Sequence, residues 1–266
     1  MSEIEKCWQD LPDWFKVEAV SYLDFKSRRQ LRACSKNDKF LVDNSLFYLK
    51  KIAFFVESRK VSLYLSTLTK TITKHSFAEN ENSTLDLIND FLRVFQHPRT
   101  LVEELTMEFS DIEKSKMVIK EIKKAQENWK IRAKKIIWYS CPSNLHAVEF
   151  VNHLAIGTLK TIRFEYQSEN LEMLRKLMET EQWKGSEEIT SSTVLPIGVD
   201  ILKFSNAKKL KIKLETSEFN IEKIQNLITN FKNANHPVGS YFSILERCLK
   251  KYYENLKKSW KSPNQF

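Results

Sequence analysis

"AKKIIWYSC", residues 133–141, carries the pattern on which the fold turns. Ala133, Ile136 and Trp138 stand in the order apolar-x-x-apolar-x-apolar, amid residues that favour a pleated, half-buried strand. The order recurs elsewhere. "VEELTMEF" (102–109) supplies Val102, Leu105 and Met107, and "LKTIRFEY" (159–166) supplies Leu159, Ile162 and Phe164. "AKKLKIKL" (207–214) supplies Ala207, Leu210 and Ile212, whereas "EEITSSTV" (187–194) fits poorly around Ile189.

Amphipathic stretches follow these strands near 111–128, 142–153 (opened by Pro142), 169–180 and 218–231. Strands alternating with helices imply parallel pairing. Aligned on Leu105, Ile136, Ile162, Ile189 and Leu210, the units mostly recur in or near the leucine-rich-repeat period of about 20–29 residues. A unit of this size cannot cover its own apolar edges, so neighbours must stack on it. The expected class is mixed, α+β or α/β, with a leucine-rich-repeat-like strand-helix array. An ordinary α/β domain with coincidental spacing is the alternative.

Ahead of the array, Ile52–Val56 and Val61–Leu65 predict a strand pair joined by "ESRK", and "TLTKTITKHSF" offers another strand. Ser83 with Asp86 opens an amphipathic helix through Leu87, Phe91, Leu92 and Phe95. It stops at His97-Pro98, because a residue preceding proline is pushed out of the helical region. Behind the array, "YFSI" (241–244) is either a last strand or the start of a helix through Leu245, Leu249, Tyr252, Tyr253 and Leu256.

The front of the chain is different. "LPDWFKVEAVSYLDFKSRRQLRACSK" (11–36) reads as short helices too small to form a core alone. Phe15, Ala19, Val20 and Leu23 share one face, and Pro12 suits an early helical position. Ser27 with Gln30 has the form of a capping box before Leu31 and Cys34. Ser35 with Asp38 is a weaker version before Phe40, Leu41 and Val42.

Composition narrows the function. In 266 residues, 42% hydrophobic and 12% aromatic, a packed core is expected rather than disorder. Four glycines leave little for phosphate-cradling loops. Neither a signal peptide nor a membrane span is expected, so the reading is a soluble intracellular protein, cytoplasmic or nuclear. Cys7, Cys34, Cys141 and Cys248 lack zinc spacing and read as small buried hydrophobes. A net charge of +9 permits acidic partners or nucleic acid, but no nucleic-acid motif accompanies it, and nucleic acid is disfavoured.

The opening stretch resembles an F-box. Leu11-Pro12, Phe15, Ala19, Val20, Leu23-Asp24, Leu31-Arg32 and Cys34-Ser35-Lys36 follow that family's order, to about Leu49. Trp14 replaces the frequent Glu, Arg28 stands where most F-boxes place Leu, and Asp38 where an aromatic is common. The remainder resembles the FTH-type F-box-associated (DUF38-like) domain of the nematode F-box families. "KKIAFFVESRKVSLYLS", "LINDFLRVFQHPRTLVEELTMEF" and "FNIEKIQNLITNF" stand in that family's order. The expected organisation is an F-box at 8–50, the repeat-like domain at 51–245, and a C-terminal helix or tail at 246–266.

The resemblance implies a non-catalytic substrate receptor of a Skp1–cullin–F-box ubiquitin ligase. It would bind a Skp1-like adaptor, through it a cullin, and an unknown target, with no membrane and no cofactor. A repeat-type interaction module without ligase function is the alternative. Leu11, Pro12, Phe15, Val20, Leu23, Leu31 and Cys34 are the adaptor-facing candidates the resemblance implies. Strand alternation supplies the target-facing candidates, which lie between the apolar positions. They are Glu104, Thr106 and Glu108; Lys135, Ile137 and Tyr139; Thr161, Arg163 and Glu165; Lys209, Lys211 and Lys213. His75, His97, His146, His153 and His236 are scattered. Cys141 near His146 is the one nucleophile–base suggestion, and Cys141 reads more simply as a strand-closing residue. No catalytic and no metal-binding residue is expected.

Overall fold

The spacing of the apolar residues becomes strand register. The structure, a computed structural model, describes residues 7–67, 71–77, 81–97, 99–125, 130–140, 146–166, 171–196, 198–214 and 221–246. The strands are β1 (Phe47–Val56), β2 (Lys60–Ser66), β3 (Thr71–Phe77), β4 (Thr100–Phe109) and β5 (Ala133–Ser140). They continue with β6 (Thr161–Tyr166), β7 (Glu188–Val194), β8 (Lys209–Leu214) and β9 (Tyr241–Glu246). All belong to one sheet, ordered β3-β2-β1-β4-β5-β6-β7-β8-β9. The β1-β2-β3 meander is antiparallel, and every pairing from β1–β4 to β8–β9 is parallel. Leu105, Ile136, Ile162, Ile189 and Leu210 sit side by side across it.

One reading changes and two open points are resolved. First, the array begins one strand earlier than the recurring pattern suggested. β1 also carries apolar-x-x-apolar-x-apolar as Leu49, Ile52 and Phe54, all buried, with Ile52 opposite Leu105. Its role as the hairpin partner of β2 conceals this in the sequence. Second, β7 occupies its place despite its poor fit. Ser186 and Ser191 take two of the inward positions, and their hydroxyls donate to the carbonyls of Gln182 and Thr193, each at 2.7 Å. A buried hydroxyl with a partner avoids the cost that would exclude it. The register shifts between Thr190 and Val194, which is where the pattern fails. Third, "YFSI" is a strand, with Phe242 opposite Leu210. Leu249, Tyr252, Tyr253, Leu256, Pro142, Cys141 and Cys248 lie outside the described residues.

The helices of the array pack against one side of the sheet. α1 (Asp13–Ser21), α2 (Phe25–Cys34) and α3 (Lys36–Asn44) form the front unit. α4 (Glu81–Phe95), α5 (Ile112–Ala125), α6 (His146–Asn152), α7 (Leu171–Met178), α8 (Glu181–Lys184) and α9 (Ile221–Asn233) belong to the array. Leu87, Phe91, Val118, Ile122, Phe150, Leu174 and Leu227 from the array helices join the strand residues in one core. Aromatic rings run along this side. Phe54 stacks on Phe91 at 4.9 Å, and Phe109 meets Trp138 at 5.2 Å. Trp183 lies between Phe164 at 5.7 Å and Phe204 at 5.2 Å.

Local chemistry also fixes the front unit. Pro12 caps α1. α2 begins at Phe25 rather than at Ser27, because the Asp24 carboxylate accepts from the Ser27 amide at 2.7 Å. Asp24 is therefore the cap and Ser27 the third helical residue. Ser35 does cap α3, accepting from the Asp38 amide at 3.0 Å. Cys7 and Cys34 are exposed, contrary to the expectation of buried thiols.

Candidate functional site

The front unit leaves apolar surface uncovered. Trp14 is 69% exposed, Tyr22 71%, Phe40 64% and Phe15 44%, the last edge-on to Trp14 at 5.9 Å. Trp8, Ala19, Leu23, Ser27, Gln30 and Leu31 line a shallow groove. Trp8 is pinned there because its indole N–H donates to Asp38 at 2.9 Å. The same bond, after that from the Ser35 hydroxyl, holds the Asp38 carboxyl below its ordinary range.

This unit is not loosely tethered. Arg28 is 2% exposed and donates from Nη2 to the Leu46 carbonyl at 2.6 Å, with its guanidinium 4.9 Å above the Phe47 ring. Burial draws its pKa down to about 10, so it stays charged at neutral pH. Arg99, just ahead of β4, donates to the Asn44 carbonyl at 2.6 Å. His97 Nδ1 accepts from the Arg99 amide at 3.2 Å, which assigns the proton to Nε2, 3.0 Å from the Val42 carbonyl.

The sheet side away from the helices presents short rows of side chains. In the lowest row, Glu104 lies between Lys51 and Lys135, 2.8 Å from each. Burial alone would raise its pKa, but the bonds from Lys135 and Lys51 hold it below the ordinary carboxylate range. Nearby Tyr48 donates to Glu103 at 2.6 Å. That bond, with some burial, pushes the phenol up to about 12. In the middle row, Ala53, Thr106 and Ile137 are buried outside the main core, as short side chains sunk among longer neighbours. In register with Ile137, Arg163 reaches to the next row and grips Glu165 through Nε at 3.1 Å and Nη2 at 2.8 Å. On β8, Lys209 and Lys211 are exposed and Lys213 half-buried, with no ion pair among the described residues.

Comparison with family models assigns both regions. The F-box domain model matches residues 8–50, and the FTH domain model matches residues 114–257. The second match covers more than half of the chain. The chain is an F-box protein with an FTH domain. No curated protein and no solved structure matches it at a significant level. F-box domains generally bind Skp1-like adaptors and act in substrate recognition by SCF-type ubiquitin ligases.

The expected F-box residues separate into two groups. Leu23 and Leu31 meet in the groove, and Phe15, Pro12 and Cys34 are exposed. Leu11 is half-buried. Val20 is a correction: it is fully buried rather than presented at the surface. Trp14, Tyr22 and Phe40 are exposed aromatics outside the expected set. The sequence signal for them was an aromatic at positions that the buried helix faces did not need. On the sheet, Thr106 and Ile137 are likewise corrected, since both are buried, at 3% and 7% exposure. Glu104, Glu108, Lys135, Tyr139, Thr161, Arg163 and Glu165 remain half-buried on the open side. Among the described residues, no group of His, Cys, Asp and Glu is arranged to hold a metal ion, and no helix is long and apolar enough to cross a membrane.

Proposed function

We propose that this chain is a substrate-recognition subunit of a Skp1–cullin–F-box ubiquitin ligase. In this reading residues 8–50 dock a Skp1-like adaptor, and residues 51–245 hold a target protein on the open side of the sheet. The chain's own contribution is proximity: it raises the local concentration of the target near a charged carrier enzyme. The observation that carries the reading is the uncovered apolar surface of the F-box, where Trp14, Phe15, Tyr22 and Phe40 are exposed and Leu23 and Leu31 line a groove. Aromatics of this kind act as interface anchors.

The test uses the full chain and titration calorimetry against Skp1-like adaptors. Leu23→Asp should lower affinity by about thirtyfold or more, because it drives an unpaired charge into an apolar contact. The exposed pair Trp14→Ala with Phe15→Ala should weaken binding while leaving the melting temperature unchanged. Undiminished affinity in both folded variants would move the docking surface elsewhere. A wild-type chain that ignores every adaptor would remove the ligase reading.

A further inference from the structure

The charges on the open side are arranged differently at its two ends. From β1 to β6 most of them are matched internally: Glu104 has Lys51 and Lys135, Arg163 has Glu165, and Glu108 accepts from the Ser110 hydroxyl. On β8 they are not. Lys209, Lys211 and Lys213 occupy alternate positions of one strand, so all three project to the same side, about 7 Å apart. None has an ion-pair partner among the described residues. The residues opposite Lys211 are Thr190 and Ser243, and those opposite Lys213 are Val194 and Leu245, none of them charged. Lys209 has Glu188 on one side and Tyr241 on the other. Glu188, however, faces the Tyr241 hydroxyl at 3.5 Å. Beside the lysines, Tyr241 and Leu245 on β9 are 41% and 40% exposed.

We infer that the β8–β9 surface binds an acidic, extended polypeptide segment of the target, an inference that rests on the open side being the target-holding face. An extended segment repeats its side-chain direction every two residues, at the same pitch as the lysines. Carboxylates at alternate positions of the occupant therefore meet Lys209, Lys211 and Lys213 in turn, and an apolar side chain settles against Tyr241 or Leu245. Residues 247–266 carry Arg247, Lys250, Lys251, Lys257, Lys258 and Lys261 against Glu254 alone, a charge that does not complement the stripe. Glu188, opposite Lys209, sets one acid beside the stripe, and a single-stranded DNA probe tests a nucleic-acid occupant directly. The charges supply orientation and association rate, and the apolar neighbours slow release.

The experiment measures fluorescence anisotropy of a labelled peptide alternating Glu and Thr with one central Leu, using the full chain bound to its adaptor. A charge-reversed peptide and a single-stranded DNA oligonucleotide serve as rival probes. Saturable binding of the acidic peptide, weakened about fivefold or more by Lys211→Glu with Lys213→Glu, is expected. Lys120→Glu on the helical side should leave it unchanged. Equal binding by wild type and the β8 variant overturns the inference, as does tighter binding of the DNA. A parallel arm measures capture of cellular targets by Tyr139→Ala with Arg163→Ala. If that capture falls while the acidic peptide is ignored, the open side keeps its role and the acidic occupant is rejected. If that capture is unchanged, the open-side reading fails between β5 and β6, whatever the peptide does.

Discussion

The two sides of one sheet meet opposite demands. The side under the helices is closed by the chain itself: Phe54, Phe109, Trp138 and Phe164 meet rings from Phe91, Phe150 and Trp183. The other side is half-exposed and polar, and its buried members, Ala53, Thr106 and Ile137, belong to no large core. Packing dictates sequence on the first side, because a wrong volume there costs stability directly. On the second side, outside those buried positions, stability depends little on sequence, which leaves residues free to be set by binding. β8 makes the contrast within adjacent residues, with Ile212 fully buried and Lys211 exposed.

That contrast can be broken directly. Ile212→Ala should cost about 2–5 kcal/mol in denaturant unfolding, because it removes buried methyl groups from a core that collapses only partly. Lys211→Ala, one residue earlier, should stay within about 0.5 kcal/mol of wild type. Comparable losses from the two would mean that the open side is structurally closed, and the binding role assigned to it would fall.

The legibility of the chain follows the same division. The helix-facing pattern was readable because a buried strand position tolerates few residue types. Leu105, Ile136, Ile162 and Leu210 announced their register before any coordinates. Ser186 and Ser191 hid β7, since hydroxyls satisfied by nearby carbonyls are as quiet in a core as apolar groups yet read as polar in a sequence. β1 was legible as a strand, but its place in the parallel array was hidden because its closest partner in sequence is the antiparallel β2. On the open side, alternation told which residues point outward but not how deep they sit. Thr106 and Ile137 sink because their neighbours are longer, which depends on strands distant in sequence. In the F-box the sequence could not separate core from surface: Val20 and Leu23 read as one helix face, yet α1 ends at Ser21 and only Val20 is sealed.

A third region combines features of both sides. At the seam between α2–α3 and the start of the sheet, polar groups are buried as if in a core but remain ionisable. Arg28 is the largest of them. Arg28→Ala should cost about 1–3 kcal/mol, through loss of the bond to the Leu46 carbonyl and of the stacking on Phe47. Arg28→Leu, which refills the apolar volume, should cost less. If Arg28→Ala unfolds at the wild-type denaturant midpoint, the seam owes nothing to the guanidinium, and the F-box is held to the sheet by other contacts.

His97 gives the smallest and most specific test of the seam. Burial holds its pKa below the usual histidine value, opposed by the bond to the Val42 carbonyl, and Arg28 adds to the lowering. Arg28 and Arg32 on α2 and Asp43 on α3 are the charged groups that act on it, with only Asp43 favouring the protonated ring. Protonation would also place a hydrogen on Nδ1, where the Arg99 amide now donates. The unfolded chain therefore binds this proton more readily than the folded one. The linked stability is fully present above the unfolded value near 6.5 and is lost as pH falls through the lower folded value. His153 is also lowered by burial and contributes with the same sign, so wild type alone cannot isolate the seam. Carboxylates such as Asp43 and Glu104 lose their contribution only at lower pH, below about 4.5. The difference between wild type and His97→Gln is the informative quantity. Measured by urea unfolding from pH 7.5 to 5, wild type should lose more stability than the variant as pH falls. Parallel curves would show that His97 carries no buried, pH-linked contact, and would return the seam to the purely apolar class of the helix-facing core.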